Sequence, residues 1–290
     1  KVTDLLRTPT NIMLQRIFGS KKVQEKEPIE GTNQRPAIDL DQAPSFEIDD
    51  THLVNVAPGF VYLKKALSEE QQSWLVQYAL TTCGPNEKEP QKSFWKPRRR
   101  KGDWFEELQL NLGFVGRGRV YDALDNFRRS DKVKHFASSL VKMARSHDDT
   151  LPDMTPTHMI LLYYATCEGM VWHADDDEND GDNNHPIVSI SLGMYGFAYK
   201  AEILILSKFV GNTGVFGYEL DGKIVNVELE SGDVLIWGGP SRMLRHCVKE
   251  VHQNTAPSYL PPGCENVRLC YTIRDTPTML GREKEFQLRY

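Results

Sequence analysis

The sequence predicts an α+β protein built on an antiparallel double sheet of jelly-roll type, with N-terminal helices packed on one sheet. Three observations predict it. Helical patterns stand in the first half of the chain, short apolar runs broken by turn residues fill the second half from Thr157 onward, and the two kinds do not alternate. The lack of alternation removes parallel βαβ folds, and the short, evenly spaced runs suit a sandwich or barrel. At 290 residues and 40% hydrophobic content the chain is long enough to bury a substantial core.

In chain order, residues 1–56 read as an N-terminal arm, irregular or peripheral. The first stretch, KVTDLLRTPTNIMLQRIFGSKK, is basic with scattered apolar residues, and Asp4 and Pro9 argue against a transit peptide. Residues 23–56 are rich in Pro, Glu, Asp and Gln and carry no sustained period. Phe60 to Leu63 then reads as a short strand leading into a helix. Ser68, with Gln71 three residues on, makes a capping box, and Glu69 and Glu70 suit the positive end of the helix dipole. Leu75, Tyr78 and Ala79 fall at helical spacing, and DKVKHFASSLVKMARSH repeats the pattern with Val133, Phe136, Leu140 and Met143 on one face. The strands expected after residue 157 are HMILLYY, MVWH, PIVSISLG, KIVNVELE, DVLIWG and VRLCYTIR, all rich in Val, Ile, Tyr and Thr.

Bulk properties narrow the function. No apolar run approaches the roughly 20 residues that span a bilayer, so no membrane partner is expected. The net charge of −5 offers no general attraction to phosphate, so any nucleic-acid contact must come from a local basic patch. The cysteines (Cys83, Cys167, Cys247, Cys264 and Cys270) are odd in number and form no Cys-x-x-Cys, which points to a reducing, intracellular compartment. Nucleus or cytoplasm is expected, with a mitochondrion as the alternative, and the chain is read as a monomer.

The chemistry concentrates in VWHADDDENDGDNNHP. On a strand-like run His173 and Asp175 point to the same side, where an imidazole and a carboxylate converge on a divalent metal. A third ligand is available from His246, in GDVLIWGGPSRMLRHCV. Two His and one carboxylate leave coordination positions open, the pattern of non-haem Fe(II) oxygenases, whereas zinc prefers a closed tetrahedral set or three ligands plus water. A calcium loop starting at Asp176 fails, because its twelfth position is Ile187 instead of Glu. In VRLCYTIR, Arg268 and Arg274 are six apart and share a face, with Leu269, Tyr271 and Ile273 on the other. Two inward arginines are costly without an anion. A dicarboxylate with one end on the metal and the other on Arg268 satisfies them, and 2-oxoglutarate fits by charge and length.

With these residues the sequence resembles the AlkB-type Fe(II)- and 2-oxoglutarate-dependent dioxygenases over roughly Leu161 to Thr276, through HADDDE, PIVSISLG, GDVLIWGGPSR…H and RLCYTIR. The resemblance implies a double-stranded β-helix catalytic core over 157–290 and, over 57–156, a helical support and nucleotide-recognition lid. It implies Fe(II) on His173, Asp175 and His246, with 2-oxoglutarate and O₂ as cosubstrates. It assigns the distal carboxylate of 2-oxoglutarate to Arg268, the metal-proximal one to Arg274, and a further contact to Tyr164. The chain departs from the family pattern at Leu162 and Cys270, where relatives often carry Asn, and in the longer segment Met194 to Glu230, expected as an elaborated hairpin.

The family oxidises N-methyl groups on nucleobases, releasing formaldehyde, succinate and CO₂. Methylated DNA or RNA is therefore the expected partner. Asp177 and Glu178 match residues that line the base pocket, where an anion suits a cationic methylated base. Trp237 resembles a pocket aromatic, although a core Trp on a central strand explains it almost as well. In SFWKPRRRKGDWF, Arg98, Arg99 and Arg100 with Trp104 form the expected nucleic-acid surface, the basic groups on phosphates and the aromatic on a base; an exposed basic turn is the plainer reading. The alternative function is an oxygenase of the same fold acting on 5-methylcytosine, a protein, a lipid or a small molecule.

Overall fold

The computed structural model describes residues 42–81, 96–100, 103–115, 119–120, 131–164, 168–175, 184–194, 213–252 and 267–275. The arm up to residue 41 lies outside the described residues. The strands are β1 (Leu53–Ala57), β2 (Phe60–Leu63), β3 (Lys96–Arg100), β4 (Asp103–Val115), β5 (Arg119–Val120), β6 (His158–Tyr164), β7 (Glu168–His173), β8 (Ile187–Met194), β9 (Gly214–Leu220), β10 (Lys223–Leu229), β11 (Val234–Trp237), β12 (His246–Val251) and β13 (Val267–Arg274). The helices are α1 (Glu69–Thr81) and α2 (Asp131–Arg145).

All pairings among these strands are antiparallel. One sheet runs β1-β2-β11-β8-β13-β6-β4-β3 with β5 beside β4, and the other runs β10-β9-β12-β7. From β6 to β13 the chain passes back and forth between the sheets, which makes the jelly roll: β11, β8, β13 and β6 in one, β10, β9, β12 and β7 in the other. Strands from both sides of residue 157 share the larger sheet, since β2 pairs with β11 and β4 with β6.

The period-2 alternation sorts side chains into two cores. On the outer face of the larger sheet, Met159, Leu161, Val188, Ile190, Leu192, Val234, Ile236, Leu269, Tyr271 and Ile273 pack against Trp74, Leu75, Val76 and Tyr78 of α1 and Val133, Phe136 and Leu140 of α2. Tyr271 ties the layers together by donating its hydroxyl to Leu75 O at 2.6 Å. The capping box is present: Ser68 N–H donates to Gln71 Oε1 at 2.8 Å and Gln71 N–H donates to Ser68 Oγ at 3.2 Å. Gln71 also reaches past the helix, its Nε2 donating to Ser45 O and Glu47 O. That anchors the extended stretch whose Phe46 stacks on Phe136. Met143 sits at the margin of this core rather than inside it.

Between the sheets the core splits. Phe60, Ile187, Leu235 and Trp237 meet Phe216, Tyr218, Leu229 and Leu244 at one end, and Ile160, Leu162, Tyr164 and Cys270 meet Val248 and Val251 at the other.

Parts of the fold differ from expectation, among them β4 and β5, strands in a stretch expected as helical support and lid. Leu53–Ala57, inside the stretch expected to be irregular, is a strand paired with β2 across a bulge. The basic run Lys96–Arg100 is the end strand of the larger sheet, paired with β4 so that Arg99 stands opposite Trp104. β9 and β10 pair as a hairpin inside the Met194–Glu230 segment where one is expected, and β9 opens on Gly214, where a larger residue would meet Arg268. A Cβ there would come within 2.6 Å of Arg268 Nε.

Candidate active site

His173 ends β7 and His246 begins β12, and the antiparallel register sets the two directly opposite each other. Their rings lie 4.3 Å apart between centroids. Each ring is oriented by a nearby main-chain carbonyl: His173 Nδ1 stands 2.8 Å from Val171 O and His246 Nδ1 stands 2.9 Å from Leu244 O. A carbonyl only accepts, so both Nδ1 atoms carry the proton and both Nε2 atoms keep a lone pair. Burial, the largest influence, holds the His246 imidazole below its ordinary value, which keeps it in the neutral, ligating form at pH 7.

Asp175 lies two residues past the end of β7 and faces both Nε2 atoms. His173 Nε2 is 3.6 Å from Asp175 Oδ1 and His246 Nε2 is 3.9 Å from Asp175 Oδ2. One ligand atom from each residue falls within 4.8 Å of the others. Neighbouring ligands about 2.1 Å from a six-coordinate ion stand about 3 Å apart, so a small inward closure accommodates it. The side chains of Asp175 and His246 are 5% and 8% exposed while that of His173 is 29% exposed, so the group opens to solvent on the His173 side.

Behind these residues stand the two arginines. Arg274 donates from Nη2 to Asp175 Oδ1 at 2.6 Å, a charge-assisted bond that aims the carboxylate. Arg268 is 1% exposed, donates from Nε to Ser191 Oγ at 3.2 Å, and lies 5.3 Å over the Tyr164 ring. Its Nη1 is buried with no hydrogen-bond partner among the described residues. A buried guanidinium N–H left open is costly, and a carboxylate from a bound dicarboxylate removes that cost. The donor set and this open N–H fit Fe(II) with 2-oxoglutarate.

Trp237 is 2% exposed and packs edge-on against His246, with centroids 5.2 Å apart. Its contact is therefore with the ligand's ring instead of solvent. Phe216 stacks on the same imidazole at 5.4 Å. Asp177 and Glu178 lie outside the described residues. Arg98, Arg99, Arg100 and Trp104 are placed only by their strands, β3 and β4, and their side chains lie outside the description.

The motif GDVLIWGGPSR…H contains Arg242, but sequence reasoning gave it no role. It is 3% exposed and its Nη1 donates to the main-chain carbonyl of Asp175 at 2.6 Å. Its sequence signal is its place in that motif, four positions before His246. Ser191 was missed as well, because an inward Ser on a central strand looks like packing until Arg268 is found beside it.

The 2OG-Fe(II) oxygenase superfamily model matches residues 59–274, which spans every residue of this group. The chain belongs to the 2OG-Fe(II) oxygenase superfamily. Its similarity is of the AlkB type. This oxygenase is 29% identical over 240 residues to the "DNA N(6)-methyladenine demethylase ALKBH1D" of Arabidopsis thaliana, covering 74% of this chain and 48% of that protein. It is 28% identical over 231 residues to ALKBH1C of the same plant, covering 71% of this chain and 45% of the relative. A shorter match, 30% over 98 residues, joins it to the "Alpha-ketoglutarate-dependent dioxygenase AlkB" of Escherichia coli strain K12, covering 34% of this chain and 38% of that protein. The chain thus spans about half the length of the first two curated relatives it matches. The solved structure described as "The structure of OsALKBH1" superposes with a TM-score of 0.57 at 23% identity, covering 77% of this chain and 99% of that one, a likeness of fold. The cofactor set of the family is Fe(II), 2-oxoglutarate and O₂.

Proposed function

We propose that this oxygenase is an Fe(II)- and 2-oxoglutarate-dependent oxidative demethylase of N-methylated nucleobases in DNA or RNA. The observation that carries the metal and cosubstrate half of this reading is the convergence of His173, Asp175 and His246 in front of Arg274, with the open N–H of buried Arg268 behind them. Support for a nucleobase substrate comes from the relatives, two of which are named as DNA N(6)-methyladenine demethylases. It comes also from the basic strand β3, five residues of sequence KPRRR at the edge of the larger sheet.

Bound Fe(II), with 2-oxoglutarate and O₂, supplies the oxidising power, and the hydroxylated methyl group leaves as formaldehyde. The chain's own residues do the positioning. His173 and His246 present Nε2 lone pairs held by their carbonyl contacts, and Asp175 presents its carboxylate under the hold of Arg274. In this reading Arg268 fixes the far end of the cosubstrate and Arg274 the near end, while Tyr164 closes the wall beside Arg268. The apolar surroundings of Ile160, Leu162, Val248 and Cys270 keep that end dry, which strengthens the ionic contacts. The methylated base enters on the exposed His173 side, either flipped out of a duplex or taken from a single strand. Asp177 and Glu178 contact it, and Arg98, Arg99, Arg100 and Trp104 hold the strand.

The test is a panel of oligonucleotides carrying 1-methyladenine, 3-methylcytosine, N6-methyladenine or 5-methylcytosine, read by mass spectrometry with and without Fe(II) and 2-oxoglutarate. Loss of a methyl group from a nitrogen, with matching succinate, is expected. Succinate production with no N-methylated base consumed would transfer the same site to another substrate class.

A further inference from the structure

We propose that Arg242 is a positioning residue of the metal centre, holding the main chain at Asp175 so that its carboxylate meets the two Nε2 atoms. The inference rests on the metal-centre reading above and adds a residue to it. The carboxylate of Asp175 is already aimed by Arg274, and the residue lies two positions past the end of β7. The carbonyl of Asp175 is gripped by Arg242 Nη1 at 2.6 Å, across 67 positions of sequence. The two guanidinium groups therefore hold the same residue at opposite ends, one at the side chain and one at the main chain.

The connection that carries Arg242 is itself rigid. It is the 3-10 turn Gly239–Ser241 between β11 and β12, closed by Arg242 N–H donating to Gly239 O at 3.1 Å. Gly239 has φ +52, and a Cβ there would come within 2.4 Å of Thr150 O, so the turn is seated against the end of the α2 connection. Gly239 N–H donates to Asn184 O at 2.7 Å on its other side. The same connection supplies Leu244 O, the carbonyl that orients His246. One short segment thus sets the geometry of two ligands, Asp175 through Arg242 and His246 through Leu244. The segment thereby ties the His-x-Asp turn to the distal histidine.

Arg242 gives this proposal a test in which electrostatics and positioning have opposite signs. A buried guanidinium beside a cation site repels the cation, so charge alone makes neutralisation strengthen metal binding. Positioning makes neutralisation weaken it, by about 10–100-fold as for other groups that orient ligands. The measurement is Mn(II) binding to the full chain by calorimetry, for wild type, Arg242→Met and Arg242→Lys, with His246→Ala as the ligand-loss control and thermal unfolding recorded for each. The expected result is weaker Mn(II) binding in Arg242→Met, with Arg242→Lys between it and wild type, since lysine's ammonium can still donate but lacks the planar guanidinium fork. Mn(II) binding by folded Arg242→Met equal to wild type, or tighter, overturns the proposal and leaves the metal centre standing. Should the Met variant not fold, Arg242→Lys decides: weakened binding at an unchanged unfolding temperature supports the proposal, and unchanged binding overturns it. A wild type that takes up no more Mn(II) than His246→Ala overturns the metal-centre reading and this inference with it.

Discussion

Leu269, Tyr271 and Ile273 on one face of β13 and Arg268, Cys270, Thr272 and Arg274 on the other are all buried, yet they meet different surroundings. The first three enter the apolar layer under α1 and α2. The second four look between the sheets, where Arg274 holds Asp175 and Arg268 keeps an open N–H. One face contributes stability through area removed from water. The other gives stability up, because buried guanidinium groups lose hydration that protein contacts only partly replace. The difference teaches that burial on this strand has two purposes, and that they are separable by mutation.

The largest effect is expected at the ligands that the inward face supports. His173→Ala, Asp175→Ala and His246→Ala should each abolish 2-oxoglutarate-coupled turnover while circular dichroism stays native. Substantial turnover in any of them would remove that residue from the metal centre. Next comes Arg268→Met, which should raise KM for 2-oxoglutarate by about 10–100-fold, the equivalent of a lost charge-assisted hydrogen bond. Its unfolding stability without cosubstrate should be unchanged or higher, because an apolar side chain replaces a partly satisfied charge. The outward face should answer in the opposite way. Ile273→Ala, truncating a side chain with 0% exposure, should cost about 3 kcal/mol by denaturant unfolding with KM for 2-oxoglutarate unmoved. The smallest effect is Tyr271→Phe, which removes the 2.6 Å bond to Leu75 O and should cost about 1 kcal/mol. A KM shift in either outward variant, or a large stability loss in Arg268→Met, would collapse the distinction between the faces.

Much of this was legible before folding was considered. The alternation of VRLCYTIR assigned Leu269, Tyr271 and Ile273 to one side and the arginines to the other, and the sheet does the same. The capping box at Ser68 and the apolar stripes of both helices were equally plain, since each depends on residues within one or two turns. β9 itself was not legible within the expected hairpin. Glycine lowers its strand propensity, and the reason for Gly214 is an arginine 54 positions away in a different sheet. Nor did KPRRR look like a strand, because five residues of mostly like charge read as solvated surface until the ladder with β4 is seen.

The sequence by itself determined the chemical kinds of the site: two imidazoles and a carboxylate in ligand spacing, and two guanidinium groups on one side of a strand. These follow from local periodicity, which the backbone enforces wherever the strand lies. Only the tertiary structure decided that His246 stands opposite His173 and that Arg242 reaches the carbonyl of Asp175. Those contacts depend on register between strands and on how one connection seats against another, and a side chain's distant neighbours are set by sheet packing rather than by its own place in the chain.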